Sequence, residues 1–174
     1  MKARWGWALA AGLAGCASSG GPSADIETRL SPQARFADYK TYTWLMKPDY
    51  VSAEASQFIV DAIDAQLRQR GWTEVEQGDI GVVVQVATQN KQTIENTYTP
   101  AGGGYGMMPS YANMTTRAVA FREGTMAIDL FDTAAKQGVW RATASGALPP
   151  SKAQTREMVD AAIREMFAEL PGGR

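Results

Sequence analysis

Glu123, Asp129 and Asp132 come nearest in this chain to an acid–base pair, three carboxylates within ten positions. General acid–base chemistry needs two such groups converging on one substrate, with environments that push their pKa values apart. Strand geometry works against that here. Successive side chains of a strand point to opposite faces, so Asp129 and Asp132, three apart, face opposite ways. Asp129 also has a structural use, in a row with Arg117 and Arg141 developed below. The other usual reagents are scarce. The chain has no histidine, which removes the commonest general base and metal ligand. Its serines have only lysines to take a proton. The glycines at 102–106 lack a following Gly-Lys-Ser/Thr and open no helix, so they make a poor phosphate cradle. Tyr39, Tyr42 and Trp44 could line a ligand groove, but core and edge packing accounts for them as well. The chemistry-bearing residues therefore predict no catalytic site, no metal and no cofactor.

One reactive side chain remains, and its position gives it a different use. Cys16 is the only cysteine, so no disulfide can form within the chain and the fold must rest on its core. Ahead of it, Lys2 and Arg4 form a short positive start, and Trp5 to Leu13 is apolar or small throughout. That is a signal-peptide pattern, and the apolar run is too short for a membrane-spanning helix of about 20 residues. Leu13-Ala14-Gly15-Cys16 follows at once and resembles the bacterial lipobox. The resemblance implies cleavage before Cys16, a thioether-linked diacylglycerol on its sulfur and an acyl chain such as palmitate on its new amine. Two or more chains anchor a protein stably, where one holds it marginally. Ala17 follows the cysteine, with no aspartate there to act as an inner-membrane retention signal, so the expected place is the outer membrane, facing the periplasm. Residues 17–24 are small and polar and read as a flexible tether.

Length and composition bound the rest. The 174 residues, 45% hydrophobic and 20% charged, suit one globular domain. Cleavage removes Lys2 and Arg4 and takes the formal charge from −1 to −3. Nucleic acid binding wants a clustered basic surface, so no nucleic acid partner is expected. The expected organisation is a signal peptide at 1–15, the lipidated cysteine and tether at 16–24, and a single domain at 25–171.

The domain begins with an aromatic-rich stretch, Phe36 to Trp44, that predicts a strand at 41–45. A helix is expected from 53 to 70, with Ser52 as N-cap. Ala55, Ile59, Ile63 and Leu67 form its apolar stripe. Gly71 stands where a left-handed residue would end that helix, with Trp72 against Leu67. Ile80, Val82, Val84 and Val86 alternate within a strand at 79–89. A helix between two strands favours parallel pairing. Residues 90–113 show no clear periodicity, and 99–109 reads as a long loop. Three strands are then expected in a meander, at 115–121, 125–132 and 138–147, with Gly124 and Gly138 marking the turns. This register puts Met126, Ile128 and Leu130 with Ala118, Ala120, Trp140, Ala142 and Ala144 on the core face. It puts Arg117, Asp129 and Arg141 in one cross-strand row on the other. Opposite charges facing one another across strands contribute roughly 0.2–1 kcal/mol each. Ser151 and Gln154 form a capping-box pattern at the head of a final helix to about 169, whose stripe is Met158, Ala162, Met166 and Leu170.

Packing accounts for every element, and leaves two features over. One is the 99–109 loop, whose Tyr105, Met107 and Met108 suit contact with an apolar partner. The other is the Arg117, Asp129 and Arg141 row. These six residues are the candidate partner-binding set.

With the strands in hand a family resemblance is visible. Phe36-x-x-Tyr39-Lys40-Thr41-Tyr42-x-Trp44 resembles the start of domain-of-unknown-function family 4136, a group of bacterial lipoproteins. Asp79-Ile80-Gly81-Val82 is similar to its second strand, and Glu123-Gly124-Thr125-Met126-Ala127-Ile128-Asp129-Leu130-Phe131-Asp132 to its central run. Trp140-Arg141-Ala142-Thr143-Ala144 resembles its Trp-Arg-Gly-x-Ala strand, with alanine where glycine is common. The terminal helix ends in Leu170-Pro171 where the family usually has Phe-Pro. The family's activity is unassigned, so the resemblance lends fold and location but no catalytic residues.

The expected fold is a two-layer α+β sandwich, a five-stranded mixed sheet with two helices on one face. The expected role is that of a lipid-anchored, non-enzymatic envelope protein binding another envelope component. A periplasmic carrier of lipid or another small apolar ligand is the alternative, and a hydrolase a more distant third.

Overall fold

The computed structural model describes residues 24–99 and 113–171. Its elements run β1 (Asp25–Leu30), β2 (Thr41–Met46), α1 (Ala53–Gln69), β3 (Thr73–Glu74), β4 (Ile80–Thr99), β5 (Asn113–Asp132), β6 (Gln137–Ala147) and α2 (Lys152–Ala168). The six strands form one mixed sheet in the order β1-β6-β5-β4-β2-β3. Four neighbours, β1, β6, β5 and β4, pair antiparallel. β2 lies parallel to both β4 and β3, as a strand–helix–strand connection favours. The architecture is the expected α+β class.

Alternation decides which face is covered. Tyr42, Val82, Val84, Ile128, Leu130 and Ala142 are inaccessible to solvent and point to one side. Ile63 and Leu67 of α1 and Ile163, Met166 and Phe167 of α2 meet them in a single cluster. Phe167 lies against Trp140 with ring centroids 5.4 Å apart. Each such large side chain withdrawn from water contributes roughly 1.5–3 kcal/mol before entropy is counted.

α1 begins and ends as its sequence indicates. The Ser52 hydroxyl accepts the Ala55 N–H at 3.3 Å, filling one of the orphan donors of the first turn. Gly71 has φ +81°, and its N–H donates to Arg68 O at 2.9 Å while Trp72 N–H reaches back to Leu67 O at 3.1 Å. Those two bonds are the Schellman stop. α2 departs from expectation. Ser151 is its N-cap but makes no side-chain cap bond. The Thr155 hydroxyl instead ties the first turn to the segment before it, donating toward Pro149 O at 3.2 Å and Ser151 O at 3.1 Å. The far end of α2 is held by Arg70, whose guanidinium donates to the carbonyls of Phe167 and, at 2.9 Å, Leu170. A cation at a helix C-terminus complements the macrodipole.

The strand count differs from five in three places. The strands expected at 115–121 and 125–132 are one strand, β5, without a turn at 122–124. Gly124 sits in mid-ladder between Thr88 and Gly146. The cause lies in the partner. β4 does not stop at Gln89 but runs to Thr99, so Phe121 pairs with Lys91 and Arg117 with Glu95. Five polar residues of the six at 90–95 blur the alternation because both faces of this stretch are exposed. β1 and β3 are the additions. In β1 only Ile26 of six residues is even partly buried, and β3 has two residues, so neither carries an alternation that could announce it.

Candidate functional site

The helices leave the other face of the sheet uncovered, and the registers say what stands on it. Arg29 of β1 faces Arg141 of β6. Arg141 faces Asp129 of β5, and Asp129 faces Val83 of β4. The next row runs Glu27, Thr143, Ala127, Gln85. Arg29 and Arg141 of the first row and all four residues of the second, with Met46, Asp49 and Tyr50 at the rim, line a broad open groove of about 980 Å³. Tyr50 is 86% exposed and Met46 45%, so the rim offers an aromatic and a thioether to solvent beside the charged rows.

Asp129 is the half-buried centre. Its side chain keeps 15% of its exposure, and its Oδ1 lies 3.4 Å from Arg141 Nε. Burial pushes its carboxyl above the ordinary carboxylate range, and the Arg141 charge only partly opposes this. Arg29 forms no ion pair among the described residues, although its cross-strand neighbour is another arginine. Like charges directly opposite are destabilising. The row therefore has two cations to one anion.

Of the expected partner-binding set, Asp129 and Arg141 are together as predicted. Arg117 is not. It faces Glu95, twelve residues along β5 from Asp129, which at about 3.3 Å per residue is roughly 40 Å away. The error follows from the continuous β5, since without the turn at Gly124 the strand carries Arg117 outward instead of folding it back. Ala118 and Ala120 move with it and are exposed rather than core. Tyr105, Met107, Met108 and Cys16 lie outside the described residues.

Asp132 is turned from Asp129 as alternation requires. Its Oδ2 accepts the Tyr39 hydroxyl at 2.9 Å and its Oδ1 the Ala135 N–H at 2.8 Å. These bonds, the Ala135 amide first, hold its carboxyl below the ordinary range. Asp79 serves the start of β2: its Oδ2 accepts the N–H of Lys40 and of Thr41, each at 3.0 Å, and the Thr41 hydroxyl at 2.8 Å. Those donors, the Lys40 amide first, lower its pKa. Asp64 was missed in the sequence, although an aspartate on the apolar stripe beside Ile63 is the signal that finds it. It is 5% exposed and takes the Tyr42 hydroxyl at 2.9 Å, Trp44 Nε1 at 3.1 Å and Arg68 at 3.2 Å. Burial, then the Asp64 bond, pushes Tyr42 up to about 12. Each of these carboxylates is engaged in holding strands or a helix together. No group of three His, Cys, Asp or Glu side chains that could hold a metal occurs among the described residues.

A second opening lies where the helix N-termini part from the sheet. Val51, Ile59, Val86, Met126, Met158 and Val159 border an apolar gap of about 150 Å³. Ligand pockets run to roughly 300–1,000 Å³, so the gap is small for a lipid chain. A shallow cleft of about 550 Å³ adjoins it, lined by Phe58, Arg122, Leu148 and Lys152 among others.

The fold has relatives among solved structures. A DUF4136 family protein from Bacteroides thetaiotaomicron VPI-5482 superposes with a TM-score of 0.57 at 16% identity, covering 86% of this chain and 96% of that one. The PelC dodecamer from Paraburkholderia phytofirmans gives 0.53 at 12% identity, covering 87% and 99%. A PDZ domain protein from Parabacteroides distasonis ATCC 8503 gives 0.52 at 13% identity, covering 88% of this chain and 38% of that one. At these identities the likeness is one of fold. No curated protein matches the sequence. The model of the family described as "Domain of unknown function (DUF4136)" matches residues 26–172, and the chain belongs to that family.

Proposed function

We propose that this protein is a lipid-anchored, non-enzymatic protein of the bacterial cell envelope, held on the outer membrane through Cys16, that binds a protein partner across the open face of its sheet. The observation that carries the reading is the pair Arg29 and Arg141, which face one another across β1 and β6 in an uncovered groove, Arg141 paired with Asp129 and Arg29 in no ion pair among the described residues. Guanidinium groups bind carboxylates through paired parallel hydrogen bonds, so the partner is a segment that brings an acidic side chain or a C-terminal carboxylate to Arg29. Tyr50 and Met46 supply the apolar contact that such surfaces use. The anchor rests on Leu13-Ala14-Gly15-Cys16 behind an apolar run. PelC of Paraburkholderia phytofirmans is a dodecamer, so a second copy of this chain is one partner that a test must separate from a different protein.

A photoreactive residue at Gln85, in the floor of the groove, tests the reading in intact cells. The expected result is a discrete adduct that disappears with Arg29→Glu. An adduct of twice the chain's mass identifies a second copy, and any other mass a different protein. No adduct from Gln85, or one that Arg29→Glu leaves unchanged, contradicts the reading.

A further inference from the structure

β6 ends opposite Glu123, where Ala147 is its last paired residue, and β2 ends at Met46 opposite Val83. The Leu148 N–H still donates to Arg122 O at 2.7 Å, and beyond Asn90 and Arg122 β4 and β5 run on alone for nine pairs, Lys91↔Phe121 to Thr99↔Asn113. No other strand among the described residues pairs with either edge of this ribbon, and none of residues 90–95 and 117–122 is fully buried. A lone two-stranded ribbon is marginal in water, so the arm is a structure in want of a surface.

The registers say which surface. β1 starts at the end of the sheet from which the arm leaves: Asp25 faces Ser145, Ser145 faces Thr125, and Thr125 faces Ala87. From the level of Ala87 the arm extends twelve residues to Thr99, or about 40 Å at 3.3 Å per residue. From Ala24 back to Cys16 the chain has eight residues, which span at most about 26–29 Å fully extended. The tether is shorter than the arm, and both start from the same end of the core.

We infer that the β4–β5 arm lies against the same lipid surface that holds Cys16, so that the anchor presses the arm end of the domain to the membrane and turns the opposite end away. The inference rests on the anchor proposed above. The chemistry of this end suits a lipid interface. Ile94 is 69% exposed and pairs with the exposed Ala118. Arg122 at the base of the arm and Lys152 at the head of α2 are exposed and form no ion pair among the described residues. Such cations can meet lipid phosphates while apolar side chains reach the headgroup boundary.

Depth-dependent quenching tests this with the full lipidated chain in vesicles of phosphatidylethanolamine and phosphatidylglycerol. Ile94→Cys carries an environment-sensitive dye about 23 Å beyond the Ala87 level. Val75→Cys, just past β3 at the opposite end of the sheet, carries it as a control. Both positions are exposed, so labelling does not disturb the core, and circular dichroism confirms the fold of each variant. Lipids with a nitroxide near the headgroup are expected to quench the dye at Ile94→Cys and leave that at Val75→Cys unchanged. Equal quenching, or none at Ile94→Cys in vesicle-bound protein whose mass shows the lipid on Cys16, overturns the inference and leaves the anchor standing. A mass showing Cys16 unmodified overturns the anchor, and the inference falls with it.

Discussion

Asp129 and Asp132 of β5 and Asp79, just ahead of β4, differ because their neighbours differ. Asp79 and Asp132 accept backbone and hydroxyl donors that lower their pKa values, whereas Asp129 is raised by burial against the attraction of Arg141. The signs have opposite consequences for stability. A carboxylate lowered in the fold adds stability above its unfolded pKa of about 3.9, lost as pH falls through the folded value. A raised one favours the protonated fold, so Asp129 subtracts stability as pH rises from about 3.9 through its raised value. Acid unfolding is therefore expected to set in below about pH 4, and Asp79→Asn should flatten that limb of the melting curve. Asp129→Asn should leave the melting temperature at pH 7 unchanged or slightly higher. The isostere removes a desolvation cost, while an ion pair whose arginine is half exposed to solvent contributes only about 0–1 kcal/mol. A fall of many degrees in Asp129→Asn would show that the pair with Arg141 holds the sheet together. At this scale the Asp129–Arg141 pair was legible from the expected β5–β6 register, which holds from Leu130↔Trp140 onward, although a bulge at Leu130/Phe131 shifts the turn end by one, to Phe131↔Gly138 and Asp132↔Gln137. Arg29 was not, since it stands in an edge strand without alternation, and a cross-strand arginine cannot be placed before its strand is known.

Among the elements, the helices and their ends were the most legible, and the arm the least. The α1 stripe, its Ser52 cap and its Gly71 stop follow from local rules that hold wherever the helix packs. The arm obeys no burial pattern because nothing among the described residues buries it, and Gly124 looked like a turn when it is a ladder residue between two paired strands. The distinction has a thermodynamic consequence. Replacing residues 90–122 with an Asn-Gly turn joins Gln89 directly to Glu123 in a hairpin connection of the favoured type. Residues 90–95 and 117–122 of the excised segment contribute no fully buried side chain. The melting temperature is therefore expected to shift by only a few degrees, whereas Ile163→Ala, at a site with no exposure, is expected to cost about 2–5 kcal/mol by urea denaturation. Loss of cooperative unfolding in the shortened chain would mean that the arm packs as part of the core.

Viewed whole, the molecule has a face closed by helices, a face left open, and one end from which both the arm and the N-terminal segment depart. The closed face was legible in the apolar stripes and alternation, and with it the α+β class. The open face was only half legible, as a charged row whose outer member, Arg29, lay in an unrecognised strand. The closed face serves folding, and under the proposed function the open face serves binding. That division is tested most directly by the labelling rate of Gln85→Cys with a small maleimide, in intact cells and in the purified soluble domain. An exposed helix-face position, Ala161→Cys, serves as reference. Gln85→Cys is expected to be protected in cells and to lose that protection with Arg29→Glu and in the purified domain diluted until its copies separate, while Ala161→Cys reacts alike in every sample. Equal rates for Gln85→Cys in cells and in isolation, or protection of Ala161→Cys in its place, would contradict it.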